Sequence, residues 1–446
     1  MKRFIAVILT LLSIQLLAAQ PAEADAGARE EADSLRVSLL TCSPGNQAYT
    51  MYGHTAIRVH NITSGTDIVF NYGMFNYSSD NFLYKFVKGE TDYVLGAEPL
   101  PYFIQRYQAQ GHSIEEQVLN LSQAECQKTY ASLMENLQPQ NRTYRYSWLY
   151  DNCTTRARNM IERCVDGHIQ YNIHNPRLTA RQILHGFSKA DRWIEFGENL
   201  ILGYELDTAL TLRQQMFIPS RYAADADSAT IVRADASVQP LVKEKTMLLT
   251  VVPATTAGTT DSPLLTLSAI ALLTLAVTIV ELRRKKTYKW IDTTFQLAEG
   301  LAGTLIAFLF FFSQHPGTGT NMMILLLNPL SLLWAPLFAM RKREIATFVI
   351  LAELIAFAAT ILFTPQTYDT AVVPLVLILL FRETVNLVLQ ARKAIFPVRG
   401  RNFSSHGEKP LQSEKTISPV RKIIFPSQRT KQTLCGTKTE TNKKER

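Results

Sequence analysis

The sequence predicts an α+β soluble domain followed by an all-α, five-helix transmembrane domain. Three observations carry this. Hydrophobic residues make up 47% of the 446 residues and charged residues only 19%, a balance that fits a chain part soluble and part membrane. After about residue 260 the apolar residues gather into five long stretches. Before that point, short alternating runs broken by turns stand beside segments of helical period.

The formal charge of +8 is unevenly placed. Residues 391–446 alone carry a net +10, so the remainder sums to −2. The high pI describes a tail, and a basic tail behind membrane spans needs no nucleic acid to explain it. Five cysteines with no CxxC spacing exclude a disulfide scaffold and give no reason to expect a structural zinc site.

Met1-Lys2-Arg3 followed by an apolar run from Phe4 to Ala19 reads as a secretory signal, cleaved near Ala19. An uncleaved anchor is the alternative. Residues 20–260 are polar enough to form the soluble domain. The spans are expected at 264–282, 292–313, 321–340, 345–364 and 371–390, within a membrane domain over 261–392. Arg283-Arg284-Lys285-Lys286 follows the first span and Arg341-Lys342-Arg343 the third. HPGTGT and PQTYDT, after the second and fourth, carry no Lys or Arg. The positive-inside rule then puts the soluble domain outside the cytoplasm, in the periplasm of a two-membrane envelope. The tail, 393–446, is expected to be a disordered cytoplasmic segment that orients the protein or touches anionic headgroups. Glu299, Glu353, Arg382 and Glu383 fall inside spans, where charges pair or line a path. Arg382 is expected to meet a carboxylate.

Within the soluble domain, SLRVSLLTCSPG reads as a strand ending in a turn. YGHTAIRVHN and DIVFNYGMF flank ITSGT as a hairpin. His54 starts its strand, with Thr55, Ile57 and Val59 on one face and His54, Ala56 and Arg58 on the other. In YSWLYDNCTTRARNMIERC, Asp151 and Asn152 are N-cap residues, and Cys153, Ala157, Met160, Ile161 and Cys164 share a helix face. A cysteine in the first turn meets free amides and the positive end of the helix, which stabilise a thiolate. A buried inert cysteine is the plainer reading. A thiol nucleophile also needs a base and an oxyanion donor; His54 is a candidate for the first and the Cys153 amide for the second, though a histidine at a strand start is often only a hydrogen-bonded structural residue.

The order of a strand histidine first and an Asn152-Cys153 helix start about a hundred residues later resembles the circularly permuted papain-like (NlpC/P60-type) fold. More closely, TCSPG, GHTAIRV, NFLYKFVKG, TDY and YDNCTTRARN, followed by five spans, resemble the lipoprotein N-acyltransferase of Bacteroides-type bacteria. The resemblance implies a periplasmic thiol domain on a bacterial inner membrane, with Cys153 as nucleophile and His54 as base. It implies a phospholipid acyl donor, a diacylated lipoprotein acceptor and no cofactor.

Other residues stay open. Asn71 and Tyr72, on the strand after His54, and Asn152 beside the thiol are candidates to orient the imidazole or line the site. His112 is a rival base or a polar orienter. Cys42 could pair oxidatively, bind substrate or be buried. Cys126 and Cys164 are candidates for a disulfide. NFLYKFVKGETDY combines aromatics with Lys85 and Lys88, suiting lipid headgroups or internal packing equally. GYELDTALTLRQQMFIPS reads as scaffold or site wall. The rival functions are a cell-wall cysteine peptidase or amidase, and a non-catalytic membrane adaptor.

Overall fold

The computed structural model describes residues 34–45, 50–75, 80–172, 177–252, 262–340 and 344–395. The expected signal segment, the Arg341-Lys342-Arg343 loop and the tail beyond residue 395, with Cys435, lie outside them.

The soluble region is built on a seven-stranded sheet in the order β10-β5-β1-β2-β3-β4-β6, antiparallel throughout. In chain order its elements are β1 (Leu35–Cys42), β2 (His54–Asn61), β3 (Asp67–Met74), α1 (Phe82–Lys88), β4 (Asp92–Pro99), α2 (Leu100–Ala109), β5 (Ile114–Leu119), α3 (Gln123–Leu137), β6 (Thr143–Arg145), α4 (Cys153–Cys164), β7 (His168–Gln170), α5 (Ala180–Ser188), α6 (Arg192–Ile201), α7 (Leu212–Gln215), α8 (Pro219–Ser228), β8 (Thr230–Val232), β9 (Val238–Pro240) and β10 (Val242–Leu249). Strands β7, β8 and β9 make a second, small sheet.

β1 to β3 are buried on both faces, as central strands must be when helices cover both sides. On one face Val37, Leu39, Ile57, Val59, Phe70 and Tyr72 pack against α3 and α4. On the other, Leu40, Cys42, Ala56 and Val69 pack under Leu100 and Phe103 of α2. The expected hairpin closes with the Asn61 amide donating to the Thr66 carbonyl at 2.8 Å.

The membrane region comprises α9 (Pro263–Arg284), α10 (Lys289–Phe312), α11 (Ser331–Ala339), α12 (Glu344–Phe363) and α13 (Val372–Ile395). Among the described residues, four helices are long and apolar enough to cross a membrane: α9, α10, α12 and α13. The expected third span, 321–340, is not a continuous helix. A 3-10 turn over Met322–Leu325 leads through Asn328-Pro329 into the nine residues of α11, which contains Pro336. Pro329 lacks the amide a helix interior needs, so the run breaks ahead of α11, whereas Pro336 is accommodated within it. The segment still joins the two ends of the bundle. The Met322 amide donates to Gln366 between α12 and α13, and Lys289 at the start of α10 donates to the Ala339 carbonyl.

The break is held by protein rather than left to lipid. Asn328 accepts from the Leu330 amide and donates to Glu353, while Ser331 donates to Glu299. Gly300 and Gly303 of α10 let this backbone come close: a Cβ at Gly303 would stand 2.5 Å from the Asn328 carbonyl carbon. Arg382 meets Glu281 at 2.5 Å and Asp292 at 2.7 Å, so its carboxylates come from α9 and α10.

The soluble domain is bonded to the mouth of this bundle. Arg181 holds Asp207 at 2.8 Å, and Asp207 accepts from the Thr367 amide. The Gly203 amide donates to the Gly317 carbonyl at 2.8 Å, and Phe196 of α6 joins the apolar cluster of the spans.

Candidate active site

The site is assembled where β2 and β3 meet the start of α4. Asn152 is the N-cap of α4: its Oδ1 accepts from the Thr154 and Thr155 amides, both at 2.9 Å. Thr155 Oγ1 accepts the Asn152 amide at 2.8 Å, completing a reciprocal cap. Asn152 Nδ2 donates to the carbonyls of Trp148 and Phe217 at 2.7 and 2.9 Å. All of this fixes the first helical residue, Cys153. The cap uses the two amides that follow the cysteine and leaves out the cysteine's own.

β2 is tied to the same helix end by Thr55, whose Oγ1 lies 3.0 Å from Thr154 Oγ1. His54, one residue earlier, points to the opposite face at the strand's end, and there its imidazole lies close enough to Cys153 for each to shift the other's pKa. His54 Nε2 lies 2.6 Å from Asn71 Oδ1. With Nε2 so engaged, Nδ1 is the nitrogen left for the thiol. Turned over, the Asn71 amide would donate to Nε2 and to the Tyr72 carbonyl, while its oxygen accepted from Arg106. The two orientations select opposite imidazole tautomers, and taking a proton at Nδ1 requires the oxygen toward the ring.

Burial by itself would raise the Cys153 pKa. The His54 charge and hydrogen bond, with the Thr55 amide, outweigh it and bring the thiol down to about 7. Burial would lower His54, but the Cys153 charge and hydrogen bond and Asn71 together raise it. Both shifts favour the thiolate–imidazolium pair. Cys153 is partly exposed, unlike the buried Cys42, Cys126 and Cys164.

Gly73 makes the space in front of this pair. Its φ is +94°, in a bulge where β3 shifts register against β4. A Cβ there would stand 3.7 Å from His54 Cε1 and 3.8 Å from Cys153 Cβ.

Of the candidates from sequence, the structure brings Cys153, His54 and Asn71 together. Asn152 positions the thiol as its cap and does not line the site. Tyr72 turns to the other face, where its hydroxyl donates to Asn136 at 2.7 Å; alternation along β3 forces this once Asn71 faces His54. His112 is not a rival base. Its Nδ1 lies 2.9 Å from the Ser43 carbonyl, and the Tyr107 ring stands between the imidazoles, 6.2 Å from His54 and 5.9 Å from His112. Cys42 is the cross-strand neighbour of His54 and is buried. Burial pushes its pKa up, against a smaller opposing pull from the Tyr107 hydroxyl, so it stays a neutral thiol. Cys126 and Cys164 are free thiols rather than a disulfide, with Cys164 Sγ 3.7 Å from Ser132 Oγ. Among the described residues, no group of three His, Cys, Asp or Glu is placed to hold a metal.

Sequence reading missed Gly73, Tyr107 and the Thr55–Thr154 bond. A glycine inside a strand run was the available signal for the first. Nothing local marks the other two, because each depends on a partner 50 or more positions away.

An α+β domain carrying a thiol–imidazole pair, joined to a bundle of apolar helices, defines a class of membrane protein with a folded extracytoplasmic head. Residues 24–186 match the family model described as the Lnb N-terminal periplasmic domain, and residues 255–394 match the Lnb transmembrane domain. The chain is a Lnb-type membrane protein, with a periplasmic N-terminal domain and a transmembrane C-terminal domain. No curated protein and no solved structure matches it.

Proposed function

We propose that this chain is a lipoprotein N-acyltransferase working at the outer face of the bacterial inner membrane. The observation that carries the reading is a helix-start thiol, lowered to about 7 by its imidazole partner, in a domain bonded directly to membrane helices. The permuted papain-like assignment belongs to the same proposal. Its support is a thiol at a helix start, a histidine on a packed strand and an asparagine on the next strand.

In the first half-reaction the Cys153 thiolate attacks an ester carbonyl of a phospholipid. The Cys153 amide, left out of the cap, donates to the developing oxyanion. The carbon–oxygen ester bond breaks, and the His54 imidazolium gives its proton to the departing alkoxide of the lysophospholipid. A thioester and neutral His54 remain. In the second half-reaction the α-amino group of a diacylglyceryl-cysteine attacks the thioester. His54 takes the amine's proton, the carbon–sulfur bond breaks, and the N-acylated lipoprotein leaves with the thiolate–imidazolium pair restored. Asn71 keeps the ring aligned through both steps.

Mass spectrometry of lipoprotein N-terminal peptides tests this. Wild type, Cys153→Ser and His54→Ala are expressed in a host unable to N-acylate, with equal membrane levels verified. Triacylated peptides from wild type alone are expected. Diacylated peptides throughout would sink the reading and direct attention to cell-wall fragments. Triacylated peptides from all three would overturn the choice of residues.

A further inference from the structure

Helix α1 presents an energetic puzzle. It reads FLYKFVK, yet none of its residues is buried. Leu83 is 72% exposed, Tyr84 55% and Phe86 41%. So many apolar side chains in one short element call for a cover.

The position of α1 says what the cover is. It is bonded to the outer end of membrane helix α10. Just beyond that end, Ser313 donates to the Val87 carbonyl at 2.9 Å, and the Gln314 amide donates to the Lys88 carbonyl at 2.8 Å. His315 Nε2 lies 2.7 Å from the Phe86 carbonyl. Tyr84 packs on Phe308, one turn inside α10, with ring centroids 6.1 Å apart. One turn is about 5 Å of depth, the level of the boundary between headgroups and acyl chains. Lys85 stands at that level among the aromatics, the combination that suits an anionic headgroup layer, while Lys88 beside it is paired with Glu90 at 2.8 Å.

Behind α1, a file of rings leads inward. Phe86 neighbours Phe82 at 6.0 Å, Phe82 stacks on Phe75 at 5.6 Å, Phe75 on Tyr93 at 4.8 Å, and Tyr93 on Tyr146 at 4.1 Å. The file ends at Tyr93 and Tyr146, beside the gap left by Gly73. The gap left by Gly73 is bordered by Tyr93 Cδ2 at 4.0 Å as well as by His54 and Cys153.

We propose that α1 is the lipid entry element of this site. It lies in the outer-leaflet interface, and the Phe86–Phe82–Phe75–Tyr93 file takes one acyl chain of a phospholipid so that its ester reaches Cys153. The second clause rests on the acyl-transfer reading above; the first does not.

The test uses the full-length protein in nanodiscs of phosphatidylethanolamine and phosphatidylglycerol. A photoreactive benzophenone side chain is placed at Leu83 or, as control, at Val238, which is also well exposed on β9. Lipid adducts at position 83 and none at 238 are expected; none at 83, or equal yields at both, would overturn the membrane placement. In parallel, Cys153 thioester formation is compared between a long-chain phospholipid and p-nitrophenyl acetate. In Phe82→Ala, and separately in Phe75→Ala, the ratio of long-chain to acetyl transfer is expected to fall about tenfold, because a chain several methylenes long loses its track. An unchanged ratio, including an equal fall in both reactions, would overturn the path. A wild type that takes acetyl but never a phospholipid chain would overturn both the path and the acyl-transfer reading, while the adduct at 83 would still decide where α1 lies.

Discussion

Burial would raise the Cys153 pKa, and three neighbours outweigh it: the His54 ring, the Thr55 amide and the Thr154 hydroxyl. Alkylation of Cys153 by iodoacetamide should therefore rise with pH through a midpoint of about 7. Its thiolate is present above that value and lost below it. In His54→Ala the midpoint should move up toward the ordinary 9.0. An unmoved midpoint would mean that the imidazole does not hold the thiolate. Gly73 borders both His54 and Cys153. Gly73→Ala should cost about 1–2 kcal/mol of stability from the left-handed backbone alone. It should also slow Cys153 acylation far more than alkylation by a small reagent, because the added methyl occupies the space of the substrate carbonyl. Equal slowing of both would argue against that placement.

At the scale of elements, the decisive one is α4. Its apolar face, Ala157, Met160, Ile161 and Cys164, seats the helix on the sheet, and the Asn152 cap fixes where it begins. Asn152→Ala should cost about 1–2 kcal/mol in chemical denaturation of the folded protein, the usual worth of a cap. Asn152→Asp should restore the cap oxygen but not the bonds to the Trp148 and Phe217 carbonyls, so it should recover only part of the loss. Full recovery would show that those two bonds are energetically idle. This helix was legible in advance because N-cap chemistry and a 3.6-residue period are local. The β2–β3 hairpin was legible for the same reason. The third membrane segment was not. Its hydropathy matches a span, but Asn328-Pro329 interrupts it ahead of α11, and the break is tolerable only because Gly300, Gly303, Glu299 and Glu353 on neighbouring helices receive it.

At the scale of the whole molecule, membrane helices and periplasmic domain are fastened together. Arg382 ties α13 to Glu281 of α9 and Asp292 of α10 inside the bundle. Arg382→Ala would strand two buried carboxylates and should destabilise the protein by about 3–5 kcal/mol, read as a fall in the thermal unfolding midpoint in detergent micelles. A change below about 1 kcal/mol would mean that water or headgroups already serve those carboxylates.

The sequence by itself determined the division into a soluble and a membrane part, the hairpin and the capped helix, each of which follows from local period or local capping; the pairing of Cys153 with His54 was an expectation carried by the family resemblance. Only the tertiary structure decided which strand residue completes the pair, since Asn71 and Tyr72 are neighbours in the chain and strand alternation sends one to the thiol and the other to the far core. It also set His112 behind Tyr107, left Cys126 and Cys164 as free thiols, and placed the apolar face of α1 at the mouth of α10. Those outcomes depend on contacts between residues far apart in the chain, which no local pattern encodes.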